Sequence, residues 1–286
     1  VGEGNIPMQI AEFELLLKLE GSPIDDLIKE ATKLLEQIDE VTQRVRYIVS
    51  RAHLVPLGDD RRAGMVFDSE TLSYSLGWTN DQSLKASGMP YAGAHGAAAV
   101  VKESYNLFRT NMLPGWAKTK EMIKKDPRRQ PYKSFPRMGT LPKDWAHFKG
   151  HYVHDGKAIF SYLVGEGSVL DMPGIVKQKG LTALTRTVQV ENPKSSVMLL
   201  AENDDSQIEK TDKTFTVSLE GRACNFSLVD FSKGVKLFVW ENLLLCEVPK
   251  GNSRFKLAMW AGDPAYQPAV QSAAGKAEDL SKFTKG

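Results

Sequence analysis

The stretch LPKDWAHFKGHYVHDGKAIFSYLVGEGSVLDMPG, residues 141–174, decides the fold class, because it reads as strand, turn, strand, turn, strand. Ala158, Phe160 and Tyr162 alternate with Lys157, Ile159 and Ser161. That period of two sends successive side chains to opposite faces of a sheet. Asp155-Gly156, shortly after Tyr152, supplies the two residues tolerant of positive φ that a tight hairpin turn needs. The stretch fixes a fold class and names no reaction.

Working outward, the same signal recurs over 64–67, 72–78, 182–190, 196–201, 214–219, 223–229, 235–239, 243–248 and 254–260, each alternating or apolar for the length of a strand. Several of these runs end at Gly, Asn-Pro, Asp-Asp or Pro-Lys-Gly punctuation. Short strands at regular spacing, with no helical segments between them, predict a mainly β, antiparallel, sandwich-like domain; a barrel is the alternative closure. Before His53 the period is different. Ser22-Pro23 with Asp25 and Asp26 is a helix start, and Ile24, Leu27, Ile28, Ala31, Leu34, Leu35, Ile38, Val41 and Val45 recur at three and four. An N-terminal amphipathic helix to about Ser50 is therefore expected. It would either cover a sheet or serve as a dimerisation helix, although β-branched residues make 45–54 equally readable as a strand. The expected division is a helical segment, 1–52, and a β-rich domain, 53–286, whose small, polar end from Asp263 reads as a linker. The chain opens at Val1 with no signal peptide, which reads as a trimmed or mature piece.

Composition is that of an ordinary globular protein, with 42% hydrophobic and 25% charged residues. Thirty-seven Lys+Arg against 35 Asp+Glu, a formal charge of +2, argues against the broad basic face of a nucleic-acid binder. The one basic cluster, Lys118, Lys120, Lys124, Lys125, Arg128 and Arg129, reads as a solvated loop face in preference to a polyanion site. No run of 18 apolar residues is present to span a membrane as a helix. Cys224 and Cys246 can be a pair in an oxidising compartment or two small buried hydrophobes, the latter being the default on apolar strands.

Residues 89–142 are rich in Gly, Ala, Pro and Lys, a composition that points to a binding surface or a lid. Trp78 and Trp116 lie beside turns, where an exposed ring can stack on a sugar, and Tyr91 and His95 lie in the loop YAGAHG; these four are the candidate ligand-binding residues. His95 with Asp68 is the candidate acid/base pair of an alternative, glycan-active enzyme, although Asp68 and Glu70 also read as turn and edge residues. His147, His151 and His154 have a spacing that would gather a metal on a helix but not on the strand expected here, so no metal site is assigned.

The motifs MVFD (65–68), GWT (77–79), YAGAHG (91–96), PGWA (114–117), DPR (126–128), LPKDW with GHYVHDGKAIFSYLVG, LTRTVQV (184–190), FKLAMWAG (255–262) and EDLSKFTKG (278–286) occur in that order. In this the chain, from about His53 onward, resembles an uncharacterised bacterial domain, a domain of unknown function found in large exported proteins. There it precedes a sorbosone-dehydrogenase-like β-propeller and often a c-type cytochrome domain. The resemblance carries no reaction and no catalytic residue. It implies a periplasmic or extracellular location, propeller and cytochrome domains as partners, and no cofactor in this chain itself. The expected function is a noncatalytic accessory domain that binds carbohydrate or docks its neighbours. The helix over 22–50 is not a feature of that resemblance.

Overall fold

The Asp155-Gly156 turn sits where the sequence puts it, with φ of 47° and 72°, and it joins two long antiparallel strands. The computed structural model describes residues 51–79, 86–87, 98–99, 105–110, 112–130, 137, 139–178, 180–192, 194–203, 208–219 and 222–284, together with Glu30 and Lys33. The chain divides into two units, Val1–Ile48 and Val49–Gly286. In the first, Glu30 and Lys33 are helical and exposed. The remainder of the amphipathic helix expected over 22–50 lies outside the described residues.

In the second unit the strands are β1 (Ala52–Leu57), β2 (Ala63–Asp68), β3 (Ser73–Thr79), β4 (Ala86–Ser87), β5 (Ala98–Ala99), β6 (Tyr105–Arg109) and β7 (Trp116–Ala117), followed by the short helix α1 (Lys120–Lys124). Then come β8 (Ala146–His154), β9 (Lys157–Val164), β10 (Gly167–Gln178), β11 (Leu181–Asn192), β12 (Ser196–Glu202) and β13 (Glu209–Thr211). The last strands are β14 (Thr214–Leu219), β15 (Arg222–Phe231), β16 (Lys236–Trp240), β17 (Leu243–Val248) and β18 (Gly251–Ala261), ahead of helix α2 (Gln267–Ala274). The described residues are mainly strand, and the sheets are antiparallel. The largest sheet has eight strands in the order β13-β14-β15-β18-β11-β10-β9-β8, and two sheets of four run β1-β2-β3-β6 and β16-β17-β12-β7. β4 and β5 pair separately.

One apolar core joins the inner face of the eight-stranded sheet to both four-stranded sheets. Phe160 of β9 stacks on Phe67 of β2 with ring centroids 4.1 Å apart, and Phe226 of β15 meets Phe108 of β6 edge-on at 5.8 Å. Such pairs contribute about 0.5–1.5 kcal/mol beyond the burial of their area. Residues 112–117 stitch the two smaller sheets together: Gly115 donates to the Thr71 carbonyl (2.8 Å) and accepts from the Leu199 amide (2.9 Å). A Cβ on Gly115 would stand 2.4 Å from the Leu72 carbonyl oxygen, so only glycine lets the backbones approach this closely.

The end of the chain is more than the linker its polar composition suggested. Residues 263–284 lie across the outer face of the eight-stranded sheet. Val270 and Ala274 pack on Ala183, Val229, Ala258 and Trp260, while Leu280 packs on Ile159 and Met172. This explains why Ile159, on the face opposite Phe160, is also fully buried. Polar ties fix the strap: Lys256 donates to the Ala274 carbonyl (2.9 Å) and pairs with Glu278 (3.1 Å), and Leu280 N donates to Gln189 (2.9 Å). Burial works against the charge of Glu278, yet Lys256 and Lys157 hold its carboxyl below the usual carboxylate range.

Candidate functional site

Two polar clusters are built into the core, and each accounts for charged residues that would otherwise invite a catalytic reading. In the first, Asp171 of β10 and Arg186 of β11 form a buried ion pair with side chains 0% and 3% exposed. Arg186 Nε lies 3.0 Å from both carboxylate oxygens. The Tyr162 hydroxyl donates to Asp171 (2.7 Å) and accepts from Trp116 Nε1 (3.2 Å), while the guanidinium stacks 4.7 Å from the Tyr74 ring centroid. Burial and the neighbouring Asp171 charge push the Tyr74 and Tyr162 hydroxyls well above their ordinary pKa. Burial opposes the charge of Arg186, but Asp171 outweighs it and keeps the guanidinium protonated. The pair was legible in principle. Arg186 shares strand parity with the core residues Leu184, Val188 and Val190, and Asp171 shares it with Val169.

The second cluster encloses the turn between β2 and β3. Asp68 accepts from the Glu70 amide (2.9 Å) and the Thr71 hydroxyl (2.8 Å), and Thr71 also bonds Ser73 (2.8 Å). Glu70 holds Gly139 N (3.0 Å) and pairs with Arg51 (3.5 Å). Arg128 is buried against Asp126, with Nη2–Oδ2 at 2.7 Å, and Nη2 also donates to the Met112 carbonyl. Burial raises the Asp68 pKa, against the pull of the Glu70 amide, Thr71 and the Arg128 charge. At 1% exposure, with both oxygens bonded to its own turn, Asp68 offers no free oxygen to a substrate.

The other sequence candidates are placed as follows. Trp78 is fully buried, its ring lying so close over Gly64 that a Cβ there would meet it at 2.2 Å. Trp116 is 1% exposed and bonded to Tyr162. Neither ring is on the surface where the neighbouring turns suggested it, because both flanking strands face the core and these are the largest apolar side chains available to fill it. Tyr91 and His95 lie outside the described residues. The histidines of β8 are separated by a bulge between Phe148 and Gly150 that shifts the strand's phase, so His151 joins Phe148 beside His53 (ring centroids 5.7 and 5.2 Å). Among the described residues no three His, Cys, Asp or Glu side chains converge as metal ligands. Cys224 and Cys246 are free, buried thiols on β15 and β17, strands of different sheets. Within the basic run, Arg128 is buried rather than solvated, and Lys124 pairs with Glu241 beside the Trp240 ring.

A concave feature among the described residues is a cleft of about 500 Å³ lined by Lys118, Trp145, Lys194, Ser195 and Lys250. Four segments meet there: the chain leaving β7, the residue preceding β8, the β11–β12 connection and the β17–β18 turn. Trp145 is half-buried; its indole N–H donates to the Trp116 carbonyl (3.1 Å), and the ring lies against Gly165. That bond fixes the plane of the ring. Lys118 Nζ stands 5.3 Å from its centroid, within reach for a cation–π contact. In the sequence Trp145 stands out only as part of the LPKDW motif. Nothing in LPKDW distinguishes a ring at a cleft from a ring in the core, and Lys194 and Lys250 are brought to it only by tertiary pairing.

Residues 65–171 match a family model described as Domain of unknown function (DUF6797). The matched segment runs from β2 into β10 and includes Asp68, Trp78, Trp116, Lys118 and Trp145. No curated protein matches the chain.

Proposed function

We propose that this chain is a noncatalytic accessory domain that binds carbohydrate at the Trp145 cleft, within an exported multidomain protein whose following β-propeller and cytochrome domains hold the redox chemistry. The observation that carries the binding reading is the half-buried Trp145 ring, held in one orientation by its bond to the Trp116 carbonyl and set in a cleft with ammonium and hydroxyl groups at its rim. A rigid aromatic wall with a few convergent polar groups is the usual make-up of a small-ligand site, and the volume falls within the range of about 300–1,000 Å³ typical of such sites. The exported, multidomain setting rests on the motif resemblance from His53 onward. The enzyme alternative, His95 with Asp68, is weakened because Asp68 is enclosed in its own turn, and Asp126 and Asp171 are each paired with a buried arginine.

A glycan array tests the reading. Saturable binding that is lost in Trp145→Ala and kept in a variant such as Lys210→Ala, on β13 at the edge of the eight-stranded sheet opposite β8, supports it; binding unaffected by Trp145→Ala rules out this cleft.

A further inference from the structure

We infer that the ligand of this cleft is an acidic oligosaccharide, a sugar chain carrying carboxylate or sulfate groups; the inference rests on the carbohydrate reading above and narrows it. Three of the five lining residues are lysines, and they arrive from three separate segments of the chain. Lys118 belongs to a basic run of which three other members are engaged elsewhere. Arg128 is buried on Asp126, Lys124 is held by Glu241 and Asn242, and Lys120 stands near the Trp240 ring. Lys118 alone of these lines the cleft. Lys194 pairs with Glu166 at 3.3 Å, and both side chains are exposed. An exposed pair of this kind is worth little and is readily exchanged for a ligand oxygen. Lys118 and Lys250 have no carboxylate partner among the described residues, so the cleft keeps a local positive excess in a protein whose overall formal charge is only +2.

Geometry distinguishes this from a general polyanion face. The three lysines share the cleft with one indole, so a charged group can meet an ammonium while the apolar face of a sugar ring lies against the rim of Trp145. Lys118, seated over the ring, is the lysine that a bound carboxylate or sulfate would engage most directly. A neutral sugar would have to displace that ammonium from the ring and would give it no charged partner in return. Preference for acidic sugars follows from this asymmetry.

The test is equilibrium titration of the full chain with oligogalacturonate, a heparin-derived oligosaccharide, neutral cello-oligosaccharide and inorganic polyphosphate, at low and at roughly physiological salt. The inference predicts that an acidic oligosaccharide binds at least about tenfold more tightly than the neutral one, that salt weakens it, and that Lys118→Ala/Lys250→Ala removes the preference. These lysines are exposed and their loss leaves the core intact. The two acidic arms tell carboxylate from sulfate recognition. Equal binding of neutral and acidic oligosaccharides, with Trp145→Ala abolishing both, overturns the acidic preference and leaves the carbohydrate reading standing. Polyphosphate binding as tightly as the acidic sugars overturns sugar recognition in favour of charge alone, and no binding by any of the four overturns both.

Discussion

Removing the Asp171 carboxylate should destabilise the protein more than any other single change of comparable size. In Asp171→Ala the Arg186 guanidinium stays charged and buried, the Tyr162 hydroxyl loses its acceptor, and the cation remains over Tyr74. Breaking a buried pair in this way costs about 3–5 kcal/mol, because a solvent-shielded charge is left without compensation. The second unit, Val49–Gly286, is in the size range where 1 kcal/mol shifts Tm by about 2–4 °C, so the expected fall is about 6–20 °C. The double variant Asp171→Leu/Arg186→Met removes both charges and leaves chiefly the Tyr162 hydroxyl without its partner, a cost of about 1–3 kcal/mol. The double variant should therefore be more stable than Asp171→Ala, and the two sites should be strongly non-additive in a double-mutant cycle. Thermal and urea unfolding followed by near-UV circular dichroism measure this. A Tm within about 2 °C of wild type for Asp171→Ala, or a double variant as unstable as the sum of the two singles, would refute the reasoning.

Gly115→Ala forces a methyl against the Leu72 carbonyl where two sheets are stitched together, and should cost about 1–3 kcal/mol as a lowered urea midpoint; an unchanged midpoint contradicts the close approach. His53 has its pKa lowered, first by burial and then by the nearby His151 charge, below the ordinary value of 6.5. The unfolded chain then takes up its proton first, so stability falls as pH drops below about 6.5 and levels off once the folded-state pKa is passed. The Tm loss between pH 7.5 and 5.5 should shrink in His53→Leu, and an identical loss in both proteins excludes His53 as its source. Burial pushes the Cys246 thiol up to about 12 and that of Cys224 higher still, so an aromatic disulfide reagent should titrate two thiols in denaturant and neither in the native state. Rapid native labelling would contradict their burial.

The strands were legible because alternation and turn chemistry are local. Asp155-Gly156 and the parity of Phe160 and Tyr162 encode their hairpin without help from the rest of the chain. Sheet order is not local, since β11 pairs with β18 across most of the domain and only the assembled core selects that pairing. Trp78 and Trp116 were misplaced because a turn nearby says little about which face of the strand a ring occupies, whereas Gly64, which makes room for Trp78, lies on another strand. The strap over Ile159 and Trp260 was hidden by its low apolar content. A few residues, Val270, Ala274 and Leu280, suffice to dock it because the sheet supplies the rest of the apolar surface. The cleft is tertiary in origin, gathering lysines and a tryptophan that lie far apart in sequence.

The central claim is that the Trp145 cleft binds sugar, and its most direct test is titration of oligogalacturonate into the wild-type chain and into Trp145→Ala, followed by indole fluorescence and calorimetry. The account predicts saturable binding by the wild type with a change in tryptophan emission, and loss of both in the variant while its Tm shows that the fold is retained. Saturable binding that survives Trp145→Ala with the fold intact would contradict it.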